Sequence, residues 1–285
     1  DAYPSENWTT YGIPDYYSYS LNYAYINLTI QQIISIENTS GNATQSEDES
    51  TTYDNTTVDL GNVTIRLNRT AAPFHSQNFF TLTKMGCYDQ VPFHRVIDGF
   101  VIQGGDFEVG SGSGGNAAFW AGYCNGKIAD QNGTNYTAHT CPTTHWSLPS
   151  EHTNGLRHGV GSLAAAHAGL NTDGSQFYIV PSDSNPCWLD GDQVSNGNGS
   201  CVEVDEKDCS SQSCHTVFGE VISGMQVIDA ISDLATGAND RPIHDVIIKQ
   251  AVQVWNFEDA DGDGTPDDFD DFPNDANETT DSDGD

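Results

Sequence analysis

The chain has 285 residues, enough for one large domain or two small ones. It holds 41 aspartates and glutamates against nine lysines and arginines, and its formal net charge is −32. Because nine basic residues cannot build a basic surface, nucleic acids and anionic membranes are poor partners. No apolar run reaches the ~18 residues of a membrane span. The sequence starts at Asp1 without a methionine, which indicates a processed N-terminus.

The first 25 residues form a tyrosine-rich segment with little charge. Tyr17, Tyr19, Tyr23 and Tyr25 recur with period two, which predicts one face of a strand. We expect this arm to lie against the chain's own folded domain or against a neighbouring molecule. The composition divides the chain into an N-terminal arm (1–25), a folded domain (26–256) and an acidic tail (257–285).

The chain is rich in Asn-X-Ser/Thr sequons, with seven of them before residue 70. This density favours a glycosylated, exported protein that is extracellular or held at a cell surface. The eleven sequon asparagines are Asn7, Asn27, Asn38, Asn42, Asn55, Asn62, Asn68, Asn132, Asn135, Asn198 and Asn277.

Six of the seven cysteines fall in two loops, which predicts disulfides formed in an oxidising compartment. The loops hold Cys124 and Cys141, and then Cys187, Cys201, Cys209 and Cys214. The second group has three possible connectivities. Zinc ligation is the competing interpretation, but the chain lacks the CxxC pairs that it needs. Cys87 is left over, and we expect a buried free thiol.

Periodicity predicts a mainly β chain with two helices. Apolar residues alternate over residues 25–36 and 58–67, with an exposed acidic loop at 37–54 between them. Helical spacing, with a proline near the start and a glycine at the end, covers residues 72–85. The remaining predicted elements are strands at 163–168, 176–180 and 246–255 and a helix at 224–234.

A lone arginine, Arg95, stands among apolar residues in the stretch 93–107. The alternation predicts two short strands joined at the turn-forming pair Asp98-Gly99. Such a hairpin would hold Arg95, Phe100 and Gln103 near one another on one face. A guanidinium beside an aromatic ring and an amide indicates a binding pocket. The alternative is an arginine at a strand edge with its stem packed down.

Three segments of the chain resemble the cyclophilins, the peptidyl-prolyl cis-trans isomerases, and they follow the family's order: 93–107, 166–180 and 215–229. The resemblance covers residues 26–255. It implies a closed antiparallel eight-stranded barrel with two capping helices, to which an irregular acidic tail is added. Segments 119–146 and 195–214 are longer than the family needs, and they hold five of the six loop cysteines.

The resemblance also implies the site. Its catalytic residues would be Arg95, Phe100 and Gln103. Its substrate-binding residues would be Val101, Ala166, Tyr178, Trp188, Leu189 and His215. Methionine is usual at position 101 and phenylalanine at 178, so the proline slot should be less flexible and slightly more polar. His167 stands where the family uses a main-chain contact. No nucleophile, acid–base group or cofactor is required, and the substrates would be proline-containing peptides or proteins.

The tail has carboxylates at the spacing of a calcium loop. The ligands would be Asp259, Asp261, Asp263, Thr265, Asp267 and Asp270, and the pattern restarts at Asp281, Asp283 and Asp285. This segment is similar to the thrombospondin type 3 repeats, and Ca²⁺ is the expected ion. The alternative is a solvated acidic tail.

Two functions of different classes fit the whole sequence. The first is an exported, glycosylated prolyl isomerase with a calcium-binding tail. The second is a structural subunit of an extracellular filament or surface layer, built on a cyclophilin-like barrel. The tyrosine-rich arm, the sequons and the tail motivate the second function, and copies of the same chain would be its partners.

Overall fold

A computed structural model describes residues 23–38, 52–198, 200–204, 209 and 213–254. The structure is mainly β, with two α-helices, α1 (Pro73–Lys84) and α2 (Met225–Ser232). The strands are β1 (Tyr23–Asn38), β2 (Thr52–Asn68), β3 (Val91–Pro92), β4 (Arg95–Ile97), β5 (Val101–Gly104), β6 (Tyr123–Cys124), β7 (Trp146–Ser147), β8 (Ser162–Ala165), β9 (Phe177–Ile179), β10 (Gln193–Ser195), β11 (Cys201–Glu203), β12 (Val217–Ser223) and β13 (Val246–Val254).

Nine strands form one curled antiparallel sheet in the order β3-β13-β1-β2-β12-β8-β9-β5-β4. The predicted closed eight-stranded barrel is therefore wrong among the described residues. The two edge strands follow each other in the chain, and the hydrogen-bonded ladder breaks between them at Phe93 and His94. The Phe93 N–H still donates to the Val246 carbonyl at 2.9 Å, after which the chain leaves β13 and pairs with β5.

β1 and β2 form a long ribbon that is paired from Tyr23–Asn68 to Asn38–Thr52. Its pairing continues past the last contact with β13, at Gln32–Val246. Residues 37, 38 and 52–54 therefore belong to strands, and their assignment to a loop was wrong; residues 39–51 lie outside the described part of the chain. The alternation that predicted β1 holds, because Ile26, Leu28 and Ile30 are all buried.

The core lies inside the curl of the sheet and is rich in aromatic rings. Phe79 of α1 packs at 4.7 Å from Tyr88 and at 5.2 Å from Phe177, measured between ring centroids. α1 contacts β13, β1, β12 and β2, and α2 contacts β2, β5 and β4. Both predicted helices are confirmed in place, each slightly shorter than expected.

A carboxylate from a distant loop caps α1. The backbone N–H groups of Phe74 and His75 donate to Glu151 at 3.2 and 3.1 Å. The first N–H groups of a helix have no partner within the helix, and the helix dipole favours an anion there. Glu151 therefore supplies the cap that Ala72, at the N-cap position, cannot provide.

Three disulfides connect the cysteines of the two loops: Cys124–Cys141, Cys187–Cys201 and Cys209–Cys214. Cys87 is a free, half-buried thiol. Eight of the eleven sequon asparagines lie in the described residues. Asn7, Asn42, Asn277, the arm before residue 23 and all the predicted calcium ligands lie outside them. Neither helix has the length and apolar character that a helix needs to cross a membrane, as far as the described residues go.

Candidate active site

Three neighbouring strands bring the predicted site residues together. Arg95 on β4 pairs directly with Gln103 on β5, and Gln103 pairs with Tyr178 on β9. Directly paired residues of an antiparallel sheet share one face. The Asp98-Gly99 turn between β4 and β5 is as predicted, and Gly99 takes a φ of 66° that favours glycine.

The structure brings all nine predicted residues to one cavity of about 410 Å³, together with His167. The cavity is bounded by Arg95, Phe100, Val101, Gln103, Ala166, His167, Tyr178, Trp188, Leu189 and His215. No residue of the insertion 195–214 borders it in the part of the insertion that the structure describes.

Aromatic and aliphatic side chains form the apolar part of this cavity. Phe100 stacks on Trp188 with ring centroids 5.8 Å apart and an interplanar angle of 13°. Val101 and Leu189 belong to a buried cluster beneath them. The apolar part of the cavity is therefore built from two stacked rings and aliphatic side chains.

The hydroxyl of Tyr178 is bonded within the protein. It lies 2.7 Å from Nε2 of His158, and Nδ1 of His158 lies 2.6 Å from Oδ1 of Asp190. Burial raises the pKa of Tyr178 well above its usual value, so the phenol stays protonated. The sequence predicted a slightly more polar slot, but this hydroxyl is already paired with a buried histidine. Sequence reasoning missed His158 and Asp190.

His215 is a buried, neutral side chain at the cavity. Its Nδ1 lies 2.9 Å from the Ala165 carbonyl, to which the neutral ring donates. Burial and the neighbouring His167 lower its pKa to about 3. At neutral pH the His215 ring is therefore uncharged, and it keeps the Nδ1 proton that it donates to the Ala165 carbonyl.

His167 lies against His215, with ring centroids 4.0 Å apart. The Gly169 N–H donates to Nδ1 of His167 at 2.9 Å, so the neutral ring carries its proton on Nε2. The side chain was expected to have no particular role, yet it borders the cavity.

A chain of amide groups connects the cavity to a glycine-rich loop at residues 110–115. Gln103 donates to Gln176 at 3.0 Å, and Gln176 donates to the carbonyls of Gly112 and Gly114 at 3.0 and 2.7 Å. Asp106 holds that loop through four backbone N–H groups. Burial opposes its charge, but these donors bring the pKa of Asp106 below its usual value.

Arg95 is partly exposed and lies next to a carboxylate. Its Nε is 3.4 Å from Oδ2 of Asp240, and the exposed fractions of the two side chains are 38% and 49%. The sequence did not indicate this contact, because the two residues are far apart in the chain.

One group in the described residues has the ligand types for a metal ion: His152, Cys209 and Cys214. Its two sulfurs are joined in a disulfide, which removes their capacity to act as thiolate ligands.

The site is an apolar cavity with a guanidinium and an amide at its edge, an arrangement typical of a protein that binds peptides. The family model of the cyclophilin type peptidyl-prolyl cis-trans isomerase/CLD matches residues 52–253. The chain is 36% identical over 195 residues to the peptidyl-prolyl cis-trans isomerase ppi1 of Schizosaccharomyces pombe, covering 68% of this chain and 94% of the relative. It is 33% identical over 193 residues to the isomerase cypE of Dictyostelium discoideum, covering 68% and 92%.

A bacterial relative is similar to the same extent. It is a putative peptidyl-prolyl cis-trans isomerase of Staphylococcus haemolyticus, with 32% identity over 200 residues that cover 66% of this chain and 84% of the relative. The chain therefore belongs to the cyclophilin-type peptidyl-prolyl cis-trans isomerases, enzymes that act on proline-containing peptides and proteins.

Proposed function

We propose that this protein isomerises X-Pro bonds at the 410 Å³ cavity, with Arg95 as the catalytic cation. One observation carries the proposal: Arg95 and Gln103 are directly paired across the β4–β5 hairpin, at the edge of the cavity that Phe100 and Trp188 line. The proline ring lies on the apolar surface of Phe100, Val101, Tyr178 and Leu189. Gln103 holds a neighbouring peptide carbonyl.

The reaction has to overcome a rotational barrier of ~20 kcal/mol, because the amide C–N bond is partly double. Twisting the bond localises a lone pair on the proline nitrogen. A guanidinium that donates to this nitrogen stabilises the twisted form more than either planar form, and this difference lowers the barrier. Arginine suits the task because it stays charged and its donors are held in a rigid plane.

A peptide titration tests the cavity as the binding site. Short X-Pro peptides should exchange between cis and trans faster with the protein present, as exchange spectroscopy by NMR measures. Phe100→Ala should weaken binding, because it removes one face of the apolar surface. Met85→Ala, at an exposed residue outside the cavity, is the control. A protein that leaves the exchange rate unchanged would contradict the proposal.

We also propose that the protein is exported and glycosylated. The density of sequons and the three disulfides support this. Asn27 is only partly exposed, on strand β1 in the middle of the sheet. The exposed sequon asparagines are Asn55, Asn62, Asn132, Asn135 and Asn198. Mass spectrometry of protein from its natural source, before and after glycosidase treatment, would find unmodified asparagines at all five if the proposal is wrong.

The acidic tail is proposed to bind Ca²⁺ through the ligands at 259–270, with a second set at 281–285. The spacing of carboxylates at positions 1, 3, 5, 9 and 12 supports this. The alternative function, a structural subunit of a filament, finds no support in the described residues.

A further inference from the structure

Arg95 lies in the wall between two cavities. One is the 410 Å³ cavity described above, and the other has a volume of about 420 Å³. Arg95 and Gln103 border both of them. The 238–241 segment, which contains Asp240, also lines the second cavity. A contact that restrains the Arg95 side chain here therefore also determines which NH groups of the guanidinium face a bound peptide.

Gln103 does not hold the guanidinium in this structure. Its side-chain amide donates to Gln176 at 3.0 Å. In the described part of the chain, the carboxylate within ion-pair distance of Arg95 is that of Asp240, and the nearest nitrogen is Nε at 3.4 Å. The contact is made at the base of the guanidinium, which leaves the terminal NH groups for a peptide.

Asp240 stands in an unusual backbone conformation that the surrounding segment enforces. Asn239 and Asp240 have φ values of 61° and 58°, in the left-handed region that favours glycine. The segment is closed by a hydrogen bond of 2.7 Å from the Gly237 N–H to the Arg241 carbonyl. Arg241 in turn pairs with Asp245 and donates to the Gly110 carbonyl at 2.9 Å. These contacts hold the carboxylate beside Arg95.

We propose that Asp240 is a positioning residue, which restrains the Arg95 guanidinium so that its terminal NH groups face the proline nitrogen. The inference rests on the proposed function and deepens it. A carboxylate also reduces the positive potential of the guanidinium. Both side chains are more than one third exposed, however, so solvent screens that effect strongly. Solvent does not weaken the restraint that the contact places on the rotamers of this long side chain, so the restraint is the larger of the two effects.

Asp240→Gly removes the carboxylate without adding backbone strain, because glycine adopts the positive φ at this position more readily than aspartate does. We expect kcat to fall by about three- to tenfold with KM changed less than twofold, since the lost contact acts on the transition state. The thermal midpoint should not fall. Asn239→Gly relaxes the same segment but keeps the carboxylate, and it should retain the wild-type kcat. Asp240→Asn keeps an acceptor oxygen and should recover part of the rate.

An Arg95→Ala background separates action through Arg95 from any other effect. There, Asp240→Gly should change the residual rate by less than twofold. A wild-type kcat in Asp240→Gly would overturn the inference and leave the proposed function intact. A faster Asp240→Gly enzyme would overturn it as well, because it would make the carboxylate a brake.

NMR relaxation of the arginine Nε–H groups tests the restraint independently of turnover. The chain has five arginines, and the Arg95 signal is assigned by its loss in Arg95→Ala. We expect an ordered Nε–H in the wild type and a mobile one in Asp240→Gly. If the wild type does not isomerise peptides, the proposed function fails, whereas this contrast would still support the positioning contact. Equal mobility in both proteins would overturn it.

Discussion

Replacement of Glu151 by alanine should destabilise the protein far more than replacement of an exposed acid. Glu151 accepts the backbone N–H groups of Phe74 and His75 and lies 2.7 Å from Nδ1 of His75. The exposed fractions of Glu151 and His75 are 9% and 2%. Burial alone would lower the pKa of His75, but the neighbouring carboxylates of Asp173 and Glu151 raise it to about 9. The alanine variant would leave a buried imidazolium and two helix N–H groups without this carboxylate.

The size of the effect follows from the burial. Removing one partner of a buried ion pair costs ~3–5 kcal/mol when the other charge is left uncompensated. Asp173, 3.4 Å from Nε2 of His75, compensates part of that charge, but the lost helix cap adds ~0.5–2 kcal/mol, so the expected cost stays at ~3–5 kcal/mol. In domains of 150–250 residues, 1 kcal/mol shifts the thermal midpoint by ~2–4 °C, so Glu151→Ala should lose about 6–20 °C. The matched control is Glu220→Ala, which breaks the 2.9 Å pair with Arg66. The Glu220 side chain is 52% exposed and that of Arg66 19%, so this pair is much more open to solvent than Glu151 and His75. An exposed pair contributes ~0–1 kcal/mol.

Urea unfolding of the three proteins, followed by circular dichroism, measures the difference. We expect the free energy of unfolding of Glu151→Ala to fall by several times the loss in Glu220→Ala. Equal losses in the two variants would refute the reasoning, because the buried cap and ion pair would then be no more valuable than a surface pair.

Three further predictions concern other parts of the molecule. The free energy of unfolding should fall by on the order of 3 kcal/mol between about pH 6.5 and about pH 9. Protonated His75 stabilises the fold fully below about pH 6.5, and this stabilisation is lost as the pH rises through its folded pKa of about 9. A free energy of unfolding in urea that stays constant across this range would contradict the prediction. Tyr178→Phe should cost ~1–3 kcal/mol of stability, because Nε2 of His158 loses its 2.7 Å partner. Its isomerase rate should stay within about threefold, and a larger loss would give the hydroxyl a catalytic role. If the N-terminal arm and the calcium-bound tail join copies of the chain, the 1–285 chain should sediment faster with calcium than after chelation or after removal of residues 1–22. The same monomer in all three samples would contradict assembly through the two ends.

Local pattern in the sequence predicted the hairpin that carries Arg95. Apolar alternation and a turn-forming pair act over a few residues, so β4, β5 and their turn followed from the sequence alone. The cavity residues came from resemblance to a family, because they come from strands and loops that lie far apart in the chain. Periodicity could predict those strands, but it could not order them in the sheet.

What the sequence did not indicate depends on contacts between distant loops. Asp240 reaches Arg95 from a segment in which two successive residues other than glycine take positive φ. Asn and Asp tolerate this conformation better than most residues, but their presence alone does not predict it. Glu151 caps a helix that begins at Pro73, so the helix start showed no capping residue of its own. The sequence also did not indicate the break in the hydrogen-bonded ladder at Phe93, because an apolar residue fits both a continuous strand and the point where the chain leaves one strand pair for another.

The measurement that tests the central claim most directly compares Arg95→Ala with the wild type in isomerisation of a short X-Pro peptide. Arg157→Ala is the control, because it removes the same charge from an exposed pair with Asp192 away from the cavity. We predict that Arg95→Ala lowers kcat/KM at least about tenfold, or ~1.4 kcal/mol, while peptide affinity by calorimetry and the circular dichroism spectrum stay unchanged. An Arg95→Ala enzyme as fast as the wild type would contradict the role of the guanidinium.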